Sequence, residues 1–139
     1  MIARMGTIEA SATTSAPPAA VWALLADANK WQEWGAWSKV EIEGGGAQGP
    51  GAVRALVRTP FHLRERVTTW EPDVRMGYEL LEGMRVRGYR AEVTLQPIGQ
   101  GGTLVQWRAT YDRAGPITAV LLRFAIRDAC KRVAKAAAA

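Results

Sequence analysis

The chain ends in a long segment that contains no glycine or proline after Pro116. Pro116 suits the first position of a helix, where its missing N–H would have no partner, and Gly115 can serve as the N-cap. The pattern predicts a helix from Pro116 to Ala138, roughly 34 Å long at ~1.5 Å per residue. Such a helix crosses a small domain and must bury its apolar side against the rest of the chain.

Two stripes run along this predicted helix. Arg123, Arg127 and Lys131 recur every four residues, so their charges lie on one side. The other side is apolar and consists of Thr118, Leu121, Leu122, Ala125, Ala129 and Val133. A long helix that lies across a curved antiparallel sheet leaves a cavity between the two, so the helix also predicts where a ligand would be held.

Period-two alternation of apolar and polar residues indicates strands in most of the preceding chain. The predicted strands are 7–13, 38–43, 52–59, 61–71, 76–81, 85–97 and 103–112. A helix that ends near Ala26 and a short helical turn through Trp31 and Trp34 fall between the first two strands. Consecutive strands joined by short turns form an antiparallel meander, so we expect one α+β domain over residues 1–139.

Composition and charge argue against several kinds of protein. The single cysteine, Cys130, permits neither an intrachain disulfide nor a thiolate metal cluster, and we expect it to be buried. No stretch approaches ~18 uncharged apolar residues, and residues 1–10 lack the apolar core of a signal peptide. The net charge of +5 comes from dispersed arginines, which does not favour a nucleic-acid partner. We expect a cytoplasmic monomer or homodimer without metal, cofactor or transmembrane segment.

Two local features have to be weighed separately. Trp31, Trp34 and Trp37 recur every three residues, which is typical of a packing plug at one end of a core and also of an aromatic wall at a pocket mouth. The glycine-rich run at 44–51 lacks the lysine and hydroxyl residue of a phosphate-binding loop and precedes a strand. It therefore predicts a flexible hairpin turn.

The order of the elements and three sequence strings resemble one superfamily. The strings are SAPPAAVWALLADANKWQEW, ERVTTWEPDVRMGYEL and GGTLVQWRATYD. They are similar to START-like, Bet v 1-like proteins, in particular to the polyketide cyclase/dehydrase branch. The resemblance implies a helix-grip fold, in which a curved seven-stranded antiparallel sheet wraps around a long C-terminal helix, with two short helices after the first strand.

The resemblance also implies a range of functions. Family members enclose lipids, sterols, plant hormones or aromatic polyketides, and some are cyclases or aromatases while others only bind or carry a ligand. We therefore expect a small apolar or aromatic ligand, with metal-free and cofactor-free polyketide cyclisation or aromatisation as one function. The alternatives are a non-catalytic carrier or sensor of a lipid-like ligand, and an interaction module associated with ribosomes or coenzyme Q pathways. Fold alone does not decide among them.

Strand phase selects the residues of the expected pocket, because alternate side chains of a strand face the same side. Glu65 shares its phase with Phe61, Leu63 and Val67, which predicts a carboxylate on the core side that must be paired or protonated. Arg87 is the expected partner, and Glu65, Arg87 and Tyr89 are the catalytic candidates. The predicted ligand-binding residues are Trp37, Glu65, Tyr78, Arg87, Tyr89, Trp107 and Tyr111.

The role of Glu65 depends on the strand register. A bulge would turn Glu65 outwards and place Arg64 and Arg66 in the cavity, and a purely structural ion pair would give Glu65 no role toward a ligand. If the predicted phase holds, phenols and an arginine can orient a poly-β-ketone and stabilise an enolate, the aldol-type chemistry that the resemblance implies. His62, the single histidine, is out of phase with the apolar residues and is expected to face solvent.

Overall fold

One antiparallel sheet carries most of the chain in the computed structural model, which describes residues 4–139. Its strands are β1 (Arg4–Thr14), β2 (Lys39–Ile42), β3 (Val53–Arg58), β4 (Phe61–Glu71), β5 (Arg75–Glu82), β6 (Val86–Arg87), β7 (Arg90–Ile98) and β8 (Gly102–Ala114). They are ordered β1-β8-β7-β5-β4-β3-β2, and β6 pairs with the end of β8. The helices are α1 (Pro18–Ala26), α2 (Trp31–Trp34) after a single 3-10 turn (Ala28–Lys30), and α3 (Pro116–Ala138).

The architecture expected from the sequence is confirmed, including both ends of α3, except within the predicted strand 85–97. Gly88 interrupts that strand with a φ of 67°, a left-handed conformation that favours glycine. The interruption leaves β6 on one side and β7 on the other. Because β6 pairs Arg87 with Arg113 at the end of β8, Arg87 does not continue the inward phase of Tyr89.

The core lies between one face of the sheet and α3, which packs mainly against β1 and β8. The alternation along β8 defines the face that lies against the core. Its buried residues are Thr103, Val105, Trp107 and Ala109, and the residues between them are more exposed. The side of α3 that enters the core consists of Leu122, Ile126, Cys130, Val133 and Ala134. This line is rotated from the predicted stripe, since Ile126 and Cys130 are buried and Leu121 is 42% exposed.

Trp31 and Trp34 close one end of this core. The indole N–H of Trp31 donates to the Leu25 carbonyl oxygen at 2.9 Å, and that of Trp34 donates to the Leu24 carbonyl oxygen at 3.1 Å. These bonds let both rings be buried without an unpaired donor. Both rings are therefore packed in the core, as the packing-plug interpretation predicts, and Trp31 also lines the cavity between α3 and the sheet, as the aromatic-wall interpretation predicts. Among the described residues, no helix is long and apolar enough to cross a membrane.

Candidate ligand-binding site

A cavity of about 250 Å³ lies between α3 and the sheet. Its walls are mostly apolar, with Leu63, Leu80 and Met84 on the sheet side and Leu122 and Ile126 on α3. Leu121 and Phe124 also line the cavity and are 42% and 62% exposed, so its mouth lies beside the first half of α3. The gap between helix and sheet that the sequence implied is thus present.

The cavity brings together five of the seven predicted ligand-binding residues: Trp37, Glu65, Tyr78, Tyr89 and Trp107. The prediction is wrong for Arg87, which is exposed because β6 follows the end of β8. It is also wrong for Tyr111, which pairs with Gly6 of β1 and whose ring lies where a side chain at Gly6 would be. Tyr111 therefore packs at the sheet edge and does not line the cavity.

Glu65 is buried, as its strand phase predicts, with 5% of its surface exposed. Its partner is Arg54 of β3 and not Arg87: Arg54 Nε and Nη2 both donate to Glu65 Oε1, at 3.2 and 2.9 Å. The two residues are direct cross-strand neighbours in the β3–β4 ladder. The alternative register is excluded, because Arg64 and Arg66 form ion pairs on the exposed face.

Arg54 is fully buried, and the side chains that surround its guanidinium compensate its positive charge. The guanidinium lies over the faces of two aromatic rings, 4.3 Å from the centre of the Trp31 ring and 4.6 Å from that of Tyr78. Both rings present their electron-rich faces to the cation. Together with the Glu65 carboxylate they make a buried arginine tolerable, which an unpaired charge in a core would not be.

Gln48 completes this arrangement from the glycine-rich loop. Its side-chain oxygen accepts a hydrogen bond from Arg54 Nη1, and its Nε2 donates to the carbonyl oxygens of Leu25 and Ala26 at 2.9 and 3.0 Å. The loop does connect β2 to β3, as a hairpin turn would, but it also places a buried amide in the core. Gln48 thereby links the end of α1 to the Arg54–Glu65 pair.

The second carboxylate oxygen of Glu65 is available to a ligand. Within residues 4–139, both hydrogen bonds to the carboxylate go to Oε1, Oε2 accepts none and keeps some accessible surface, and Glu65 lines the cavity. Burial raises the pKa of Glu65 above its ordinary value, and the Arg54 guanidinium opposes part of that rise. The cavity therefore contains a hydrogen-bond acceptor that can also exchange a proton.

Two phenols lie near this carboxylate. The Trp107 Nε1–H donates to the Tyr78 hydroxyl at 3.1 Å, and the rings of Tyr78 and Tyr89 are 6.4 Å apart. Burial raises the pKa of both tyrosines, because a phenolate would lose its hydration there. Both hydroxyls are therefore protonated at neutral pH and are able to donate hydrogen bonds.

Other reactive side chains lie outside the cavity. His62 is exposed, as predicted. Cys130 is fully buried, its Sγ donates to the Val105 carbonyl oxygen, and burial raises the pKa of the thiol to about 11. Within residues 4–139, no three His, Cys, Asp or Glu side chains are grouped in a way that would hold a metal ion.

Comparison with known proteins identifies the family of this chain. The family model described as polyketide cyclase / dehydrase and lipid transport matches residues 5–139. The chain belongs to this family. The family description supports ligand binding in general. No curated protein matches this sequence.

Solved structures similar to this family member share its fold at low sequence identity. A Thermobifida fusca protein studied by solution NMR is 27% identical, with a TM-score of 0.75 over 95% of this chain and 89% of that chain. Ara h 8.0201 is 15% identical, with a TM-score of 0.77 over 96% and 97% of the two chains. A point mutant of norcoclaurine synthase from Thalictrum flavum, in complex with a transition-state analogue, is 15% identical, with a TM-score of 0.74 over 99% and 96%. These likenesses confirm the helix-grip fold, and the family model confirms the superfamily resemblance.

Proposed function

We propose that the protein binds a small apolar or aromatic molecule in the cavity between the sheet and α3, and that Glu65 Oε2 accepts a hydrogen bond from it. The observation that carries this proposal is a carboxylate oxygen without a hydrogen-bond partner among the described residues, on a residue that lines a mostly apolar cavity. A ligand hydroxyl or N–H placed there would form a hydrogen bond to a charged group, and such bonds contribute about 1.5–3 kcal/mol.

The dimensions of the cavity narrow the ligand class. Small-molecule sites commonly measure about 300–1,000 Å³, and the cavity of about 250 Å³ falls just below that range. Trp37, Tyr78, Tyr89 and Trp107 supply flat aromatic walls. A molecule with one or two aromatic rings and one hydroxyl suits this space better than a long acyl chain does.

A matched pair of probes tests the proposal. We expect 2-naphthol to bind about tenfold more tightly than 2-methoxynaphthalene in calorimetric titrations, because the ether lacks the hydrogen that Glu65 Oε2 would accept. In Glu65→Gln the preference should shrink, because the charged acceptor is lost. Glu79→Gln is the control, since Glu79 pairs with Arg66 on the exposed face of the sheet. Equal affinities in the wild type, or no binding of either probe, would contradict the proposal.

A second candidate function, aldol-type cyclisation, is supported by the grouping of a carboxylate base with protonated phenols. Glu65 would remove a proton from a carbon next to a carbonyl group, and the Tyr89 hydroxyl would donate a hydrogen bond to the resulting enolate oxygen. The enolate carbon would then form a bond to a second carbonyl carbon of the same molecule, and the oxygen of that carbonyl would take back the proton held by Glu65. Loss of the resulting hydroxyl as water and enolisation of the remaining ring ketones would give an aromatic ring. Arg87 has no part in this version, because it lies outside the cavity.

Deuterium exchange tests the first step without knowledge of the substrate. The protein is incubated with 2-acetonaphthone in heavy water, and incorporation at the methyl group is followed by NMR. Catalysis predicts exchange above the buffer rate in the wild type and in Glu79→Gln, but not in Glu65→Gln. Tight binding of the ketone without exchange would favour a non-catalytic carrier or sensor.

A further inference from the structure

The outward side of α3 changes character along its length. In the first two turns Ile117, Val120, Leu121 and Phe124 are 76, 60, 42 and 62% exposed. Their spacing of three, four and seven residues puts them on one side of the helix, and we call these four residues the apolar patch. In later turns the same side carries exposed cationic residues: Arg127, Lys131 and Lys135. A contiguous exposed apolar surface on an otherwise polar helix side is typical of an interaction site.

Cations without carboxylate partners surround the apolar patch. The Arg58 guanidinium lies 6.0 Å from the centre of the Phe124 ring, Arg123 precedes Phe124 in α3, and Arg85 lines a surface depression with Leu121. Among the described residues, none of these three arginines forms an ion pair. Arginines on the outer face of the sheet, such as Arg64 and Arg66, are paired with glutamates. The surroundings of the patch are therefore positively charged.

The apolar patch also borders the mouth of the cavity. Leu121 and Phe124 belong to the patch and to the cavity lining, and Arg58 lines the cavity beside them. A molecule that enters the cavity from this side passes between the patch and the sheet. Whatever covers the patch is consequently placed next to the entrance.

We propose that the apolar patch docks the protein on an anionic lipid bilayer, with the four apolar side chains at the boundary between headgroups and acyl chains and the arginines at the lipid phosphates. An amphipathic helix side flanked by cations is what binding to such a surface requires. The patch is the ridge of a single helix, whereas protein interfaces depend on anchors held in fitted pockets. A second copy of the chain, related by two-fold symmetry, would bring the same unpaired arginines together.

Docking on a bilayer would add a route of ligand entry to the proposed ligand-binding function, and it does not depend on the identity of the ligand. With the cavity mouth against the bilayer, an apolar ligand would move between lipid and protein without crossing water. Ligand binding is measured in solution and docking is measured on empty vesicles. Failure of one is therefore distinguishable from failure of the other.

Vesicle flotation tests the docking proposal. Vesicles of phosphatidylcholine alone are compared with vesicles that contain about 30% phosphatidylglycerol at near-physiological salt. The test variant is Ile117→Ser with Val120→Ser, two exposed residues that do not line the cavity. The control is Met5→Ser with Val74→Ser, which removes two other exposed apolar side chains, 74% and 46% exposed, outside α3.

We expect the wild type to bind the anionic vesicles at least about tenfold more strongly than the neutral ones, and the test variant to lose about tenfold in binding. The control variant should bind as the wild type does. Absence of binding to anionic vesicles, or equal loss in both variants, would overturn the proposal. So would a dimer, detected by analytical ultracentrifugation, that the test variant abolishes, because the patch would then be covered by a second copy.

Discussion

Arg54 and Glu65 face each other across neighbouring strands, and the guanidinium contacts only one of the two carboxylate oxygens through both Nε and Nη2. A fork-to-fork arrangement would have occupied both oxygens. The one-sided contact leaves Oε2 for the cavity. One residue therefore serves two purposes, as the counter-ion that makes Arg54 tolerable in the core and as the acceptor that the cavity presents to a ligand.

Removal of the Glu65 carboxylate should strongly destabilise the fold. Glu65→Ala leaves the fully buried Arg54 without its counter-ion, and breaking a buried pair in this way costs about 3–5 kcal/mol in the free energy of unfolding. Glu79→Ala removes one partner of an exposed pair and should cost less than about 1 kcal/mol. Urea denaturation of both variants is the measurement. A similar small loss in the two would mean that Arg54 does not rely on Glu65.

Gln48 should contribute measurably to stability although it lies in a glycine-rich loop. Gln48→Ala removes an acceptor of Arg54 Nη1 and the donor to the Leu25 and Ala26 carbonyl oxygens. We expect a loss of about 1–3 kcal/mol, because buried groups are left unpaired. Gln100→Ala, in the exposed turn between β7 and β8, is the matched control and should have no measurable effect. Equal melting temperatures for both variants would show that the loop is uncoupled from the core.

The titration of Glu65 should appear in ligand affinity. Only the carboxylate form accepts a hydrogen bond at Oε2 with a full charge, and the raised pKa means that this form is lost above the ordinary glutamate value of 4.5 as the pH falls. The affinity for 2-naphthol should therefore decrease as the pH falls through the raised pKa of Glu65, with no such decrease in Glu65→Gln. A flat profile in the wild type would show that Oε2 makes no contact with the ligand.

Fold stability should respond to the same group with the opposite sign. The folded-state pKa of Glu65 lies above its unfolded value, so the folded state binds the proton more tightly. This contribution is complete below about pH 4.5 and is lost as the pH rises through the folded pKa. The free energy of unfolding of the wild type, relative to that of Glu65→Gln, should therefore decline over that interval. A relative stability that increases with pH would indicate that Arg54 lowers the pKa of Glu65 instead.

Cys130 should be chemically silent in the folded protein. The thiol is fully buried, and its pKa of about 11 keeps it protonated near neutral pH. Because the thiolate is the reactive form, labelling by a disulfide reagent at pH 8 should be slow in buffer and rapid in concentrated urea. Fast labelling of the native protein would mean that α3 separates from β8 easily.

The sequence predicts the framework of this protein better than its charged centre. The periodicity of α3 and the alternation of the strands depend on local spacing in the sequence. The helix-grip fold and the inward position of Glu65 can therefore be predicted from the sequence. The prediction for Arg87 is wrong because a single left-handed residue, Gly88, changes which side of the sheet the residues of β6 face relative to those of β7. Arg54 does not stand out in the sequence, because Val53, Ala55 and Val57 alternate with Arg54 and Arg58, and this pattern favours an exposed position for the arginines.

A signal for Arg54 was nevertheless present in the chain. The short turn between β3 and β4 pairs Arg58 with Phe61, and counting back along the ladder brings Arg54 opposite Glu65. Cross-strand counting therefore identifies the ion pair where amphipathicity does not. No comparable signal identifies Gln48, since the two carbonyl oxygens to which its amide donates lie more than twenty residues earlier in the chain and their position depends on how α1 packs.

The single contact between Arg54 and Glu65 also determines which form of a ligand the protein accepts. The pair is electrically neutral as a whole, yet the only part of it exposed to the cavity is negative. A neutral phenol can give its hydrogen to Oε2, whereas the carboxylate of an aromatic acid would meet a like charge in a space with little water to screen it. The site should therefore separate a molecule from its oxidised, acidic derivative even when the two have nearly the same shape.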